Sequence, residues 1–168
     1  MLRLTVLAAL LACSACESEP TPEESAAKAE RDIAMVEAAN DARPPLRLVT
    51  PDPILYPDIE QHDLHGQACN YAPGTSLGTR VIAREADAYV KIDGDMVRLA
   101  ADPGSRELPA GSRSLYDGRE FSLLLTVEGE GQPAPNNAAV NEYQGTMSLR
   151  DRWGRVVYDG AGLVQCAA

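Results

Sequence analysis

Residues 88–100 read AYVKIDGDMVRLA, and this stretch decides the fold class. Val90 and Ile92 alternate with Lys91 and Asp93, and Val97 and Leu99 alternate with Met96 and Arg98. A period of two belongs to a strand with one apolar and one wet face. Between the two runs sits Asp93-Gly94-Asp95. Glycine accepts positive φ without steric cost, so Asp-Gly between alternating runs predicts a tight hairpin.

Similar runs flank it. TRVIARE (79–85) comes before; SRSLY (112–116), the turn Asp117-Gly118 and REFSLLLTVEG (119–129) follow. Phe121, Leu123, Leu125 and Val127 form one face of the longest run, and Leu124 on the other face predicts a central strand. Ser112 and Ser114 are expected to point outward. GEGQPAPNNAA (129–139) reads as a flexible loop. VNEYQGTMSLRD (140–151), RVVYDG (155–160) and AGLVQC (161–166) complete the set. The expected fold is mainly β: a small antiparallel barrel or sandwich of about eight strands over residues 58–168. A barrel would remove the exposed edges that promote aggregation.

Upstream the pattern changes. Thr21, Pro22 and Glu24 form an N-cap, a first-turn proline and a capping box. They predict one N-terminal helix within residues 21–40, with Ala29, Ile33 and Val36 on a narrow apolar face. Pro44 and Pro45 stop it, and Pro51, Pro53 and Pro57 follow. Residues 41–57 are therefore expected to be a Pro-rich linker, with at most a short edge strand at 46–49. Ile54, Leu55 and Tyr56 are its candidates to pack on the β domain.

The first residues carry a single cation, Arg3, followed by an uncharged run from Leu4 to Ala12. That is the pattern of a signal peptide over residues 1–12. Leu10-Leu11-Ala12-Cys13 resembles a bacterial lipobox. The resemblance implies cleavage before Cys13 and acyl chains on its sulfur and new N-terminus, with residues 13–20 a lipidated tether. Cys16 is the alternative, since Ser14 and Ala15 suit the positions before it. Lipidation at Cys16 would leave Cys69 and Cys166 as a clean pair; lipidation at Cys13 leaves Cys16 over. Neither Ser14 nor Glu17 is the aspartate that resembles an inner-membrane retention signal. The expected location is thus the outer membrane, lipid-anchored and facing the periplasm. In an exported chain, Cys69 on the first strand and Cys166 on the last are expected to form a disulfide.

The formal net charge of −10 disfavours nucleic acid and favours cationic partners. One Phe and one Trp give little aromatic lining for a large ligand cavity. His62 and His65 lie three apart among Asp58, Glu60 and Asp63, the residue types of a zinc or copper site. Solvated or capping histidines are the plainer reading, so no metal and no cofactor is expected. No G-x-S-x-G elbow, phosphate-cradling glycine loop or calcium-loop spacing occurs. Asp93 with Asp95 and Asp102 with Glu107 read as turn residues.

A lipid-anchored β domain with Cys on its terminal strands is similar to the membrane-bound inhibitors of c-type lysozyme. In those eight-stranded barrels an S-G-x-x-Y motif enters the enzyme cleft. Here Ser112 and Tyr116 match, while Arg113 replaces the glycine. In the second motif, Thr126 and Gly129 match loosely, and Glu128 stands where charge is reversed. The resemblance makes Ser112, Arg113 and Tyr116 candidate partner-binding residues. The Cys69-Asn70-Tyr71 and Lys91-Ile92-Asp93-Gly94 segments also resemble Gram-negative lipoproteins of uncharacterised activity, which implies none. The expected function is a non-enzymatic binding or structural role in the envelope, with an envelope protein as partner. Alternatives are a lysozyme-inhibitor-like protein, or a metal-binding or enzymatic domain using His62 and His65.

Overall fold

The computed structural model describes residues 21–76 and 78–167. The expected signal peptide over 1–12, the expected tether over 13–20 and both candidate lipidation sites, Cys13 and Cys16, lie outside them. The chain divides into two units, one ending at Pro44 and one beginning at Pro45.

In the first unit, α1 spans Pro22–Asp41. Its capping box is formed: the Thr21 hydroxyl accepts from the Glu24 amide, and the Glu24 carboxylate accepts from the Thr21 amide at 2.9 Å. The Thr21 amide, and then the Thr21 hydroxyl that also donates to this carboxylate at 3.0 Å, hold the Glu24 carboxyl below the usual range.

In the second unit, β1 (Ala68–Pro73), β2 (Val81–Ala83), β3 (Asp87–Ile92), β4 (Asp95–Ala101), β5 (Leu115–Asp117), β6 (Phe121–Ala134), β7 (Asn137–Asp151) and β8 (Val156–Ala167) form a closed antiparallel barrel in sequence order. A barrel, not a sandwich, resolves the two expected architectures. Asp93 (φ 53°) and Gly94 (φ 86°) both adopt the left-handed conformation that the predicted hairpin requires. The two C-terminal runs are not separate strands. They are one strand, β8, which runs through Gly160 and Gly162. Gly162 stands opposite Gly145, and a Cβ at either would collide with the backbone oxygen of Ala72 or Thr126. Glycine there lets β1, β6, β7 and β8 coil tightly enough to close.

Closure is completed by β1 against β8, where Cys69 faces Cys166 in register and the two form a disulfide. The barrel interior is filled by Tyr71, Leu99, Tyr116, Leu123, Leu125, Met147, Leu149 and their neighbours. Chain segments close both ends. At one, Val49 packs on the core and donates its amide to the Val157 carbonyl at 3.0 Å, and Pro51 is buried. At the other, the turn Pro109–Gly111 sits with Leu108 buried beside it.

Three local expectations are refined or corrected. First, residues 46–49 form no strand, within the expected limit of at most a short one, and of the three candidates to pack on the domain only Ile54 is buried. Asp52 bridges to Lys91, while Leu55 and Tyr56 are exposed. A short helix, α2 (Tyr56–His62), follows, its Asp58 carboxylate accepting from the Leu55 amide at 2.8 Å. Second, β3 and β4 do not expose a wet face throughout. Ile54, Ile59 and Leu64 cover Ala68, Ile82, Tyr89 and Met96 on the outside of the barrel. Third, 129–139 is not a loop. β6 and β7 continue as a hairpin arm to a turn at 135–136. Leu124, read as the mark of a central strand, is 40% exposed on the barrel exterior.

Candidate functional site

Two predicted clusters serve the fold. Ser112 and Ser114 are buried, not outward-facing, because the segment leading to β5 folds over the barrel end. The Ser112 hydroxyl donates to the Pro109 carbonyl at 2.8 Å. The Tyr116 hydroxyl accepts from the Arg113 amide at 2.6 Å and donates to the Arg84 carbonyl at 2.8 Å. Burial raises its pKa. Arg113 reaches Glu107 at 3.7 Å. Ser112 and Tyr116 therefore have their polar atoms engaged inside the domain.

His62 and His65 take different partners. His62 packs at 6.0 Å, ring centre to ring centre, from Tyr89, while His65 meets Glu60 at 2.7 Å. Among the described residues no group of three or more His, Cys, Asp or Glu side chains converges as a metal site. Asp58 is instead gripped by Lys91, whose ammonium lies 2.8 and 2.9 Å from its two oxygens. The Lys91 bond, then the Leu55 amide, hold the Asp58 carboxyl low.

Asp87 is a buried ion pair on the barrel wall. Its side chain is 3% exposed and accepts from Arg84 at 2.7 Å and Arg98 at 2.9 Å. Burial pushes its pKa up, and the two guanidiniums outweigh that, leaving it below the usual value.

Two further exterior regions lie at opposite ends of the barrel. The first is the arm. Leu124 is the last β6 residue in register with β5, and the Leu125 amide bonds to Ser114; Val127–Ala134 pair with β7 alone. Gly129 (φ 77°) opens a bulge in which Gly129, Glu130 and Gly131 together oppose Tyr143. Tyr143 covers Gly131 so closely that a Cβ there would lie 2.6 Å from its ring. Tyr143 and Leu163 floor a groove of about 300 Å³ rimmed by Glu128, Glu130 and Glu142. From Glu120 to Leu149 the chain contains neither Lys nor Arg.

The second region is the end where the unit begins. The β5–β6 and β7–β8 turns enclose a cleft of about 280 Å³ lined by Asp117, Arg119, Phe121, Ser122, Asp151 and Arg152. Asp151 has one oxygen on the Trp153 and Arg155 amides and the other on the Arg155 guanidinium at 2.7 Å. Burial raises its pKa, and these bonds outweigh that to leave it lowered. Arg152 and Arg155 each lie 5.0 Å from the Trp153 ring centre.

The sequence reading missed both regions. Its available signals were the thirty-residue absence of cations, and the one Trp set between two arginines. Comparison of the chain with family models, curated proteins and solved structures finds no match.

Proposed function

We propose that this chain is a lipid-anchored protein of the outer membrane, facing the periplasm, with a binding and non-catalytic role. Its partner is an envelope protein with a cationic surface. The observation carrying this reading is the β6–β7 arm. It extends past the last β5 pairing and presents Glu128, Glu130 and Glu142 beside Tyr143 without a cation of its own. A polar rim around an aromatic floor suits a protein contact, and uncompensated carboxylates speed encounter with a cationic one. The Cys69–Cys166 disulfide supports an oxidising, exported location, which agrees with the lipobox resemblance.

Two experiments test it. Labelled palmitate should enter the protein and be lost when Cys13→Ser and Cys16→Ser are combined; equal labelling in that variant removes the anchor. In the second, the mature chain should capture a basic envelope protein that Glu128→Lys with Glu130→Lys no longer retains. Capture should fall steeply with salt, as long-range charge attraction is screened over about 8 Å at physiological ionic strength. Equal retention by the charge-reversed chain would sink the arm as the binding element.

A further inference from the structure

We infer that the barrel end bearing Trp153 is itself a docking surface for the phospholipid headgroup layer. The barrel would then lie on the membrane with its arm pointing away. The inference rests on the proposed anchored location for its membrane, but not on the anchor for its contacts.

Four observations converge on this end. The unit starts here: Arg47 pairs with Asp93 at 2.7 Å, and the Val49 amide bonds to Val157. The chain that leads back to the lipobox therefore leaves the barrel at this face. Large apolar side chains are exposed beside that point: Leu46 is 52%, Leu48 72% and Val156 40% exposed. Half-buried Trp153, the chain's one tryptophan, stands at the β7–β8 turn three residues before Val156. Arg119 and Arg152, both exposed, rim the neighbouring cleft.

Tryptophan and arginine beside exposed aliphatic residues are the composition of a membrane–water interface. The indole sits at headgroup depth, and guanidiniums reach phosphates while their stems stay apolar. Within the cleft Asp151 is already satisfied by Trp153 and Arg155, so it does not neutralise Arg152. Asp117 and Glu120 keep the end mixed in charge. Such a surface suits phosphate-by-phosphate contact better than attraction to net membrane charge. A tethered contact of this kind gains from the high effective concentration that an anchor supplies.

Trp153 is also the probe. The chain from residue 13 onward, carrying Cys13→Ser and Cys16→Ser so that no acyl chain contributes, is mixed with vesicles of phosphatidylethanolamine and phosphatidylglycerol. The expected result is a blue shift of Trp emission and protection from acrylamide. Arg119→Ala and Arg152→Ala should each weaken binding about fivefold. Leu48→Ser should weaken it too, and Glu85→Gln, in the exposed turn between β2 and β3, should not. No emission change on vesicles overturns the inference. So does the same change with inorganic phosphate alone, which would indicate a small-anion site, or undiminished binding in the arginine and leucine variants. Palmitate labelling that persists unchanged in the Cys13→Ser, Cys16→Ser chain, with vesicle binding intact, would remove the anchor and leave this surface standing.

Discussion

Reducing the Cys69–Cys166 disulfide is expected to lower the melting temperature of the chain from residue 13 onward by on the order of 10–20 °C. The reason is topological. Seven of the eight strand pairings join neighbours in sequence; the eighth, β1 with β8, joins residues 97 apart. Bringing those ends together is the largest single loop closure in the barrel, and the disulfide removes that freedom from the unfolded chain. For a loop of this length the chain-entropy model gives about 4–5 kcal/mol. That is a large share of the roughly 5–15 kcal/mol by which domains are stable. The two cysteines are directly opposed in register on β1 and β8, and both are buried. Thermal melts with and without reductant, beside the Cys69→Ala, Cys166→Ala variant, make the check. Unchanged melting, or two titratable thiols in the native unreduced protein, would refute it.

Asp87→Ala is the second large effect expected, about 2–3 kcal/mol of lost stability at neutral pH. Asp87 is nearly fully buried, and two guanidiniums depend on it. Arg98 is 66% exposed and can turn to water, so its share is small. Arg84 is 25% exposed and sits over the Tyr89 ring, with its carbonyl held by Tyr116, so its loss dominates. The pH dependence follows from the lowered Asp87 pKa. Its contribution is complete above the unfolded carboxylate value near 4 and is lost as pH falls through and below it. Urea midpoints at neutral pH and near pH 3 should therefore converge between wild type and Asp87→Ala. A constant gap between the two proteins across that range would show that the ion pair is not the source.

Much of the barrel was legible because its signals are local. The Asp93-Gly94 turn and the alternating runs each act through one or two neighbouring residues, and the Cys69–Cys166 pair, although 97 residues apart, was readable from residue type alone. The parts that escaped depend on contacts distant in sequence. Pro51, Pro53 and Pro57 read as a linker, yet Pro57 lies in the first turn of α2 and Asp58 reaches Lys91 across 33 residues. The alternation in β3 implied a wet outer face, and only the return of Ile54, Ile59 and Leu64 buries Tyr89. Ser112 and Tyr116 looked like presented groups by motif, but their partners, Pro109 and Arg84, put them inside. The arm escaped for the opposite reason. Its glycines and prolines are loop residues by propensity, and they are tolerated because this part of β6 has one neighbour and a bulge.

That single-sided stretch of β6 would, with ordinary strand residues, be a template for a second molecule. Proteins held on a surface meet one another far more often than in bulk, and an open ladder of amides invites end-to-end polymer. Gly129 twists the backbone out of register, Pro133 withholds a donor, and Glu128 and Glu130 repel the same residues of an approaching copy. On a chain anchored as proposed, the glycines and proline that made this arm look like a loop would thus also keep crowded copies apart.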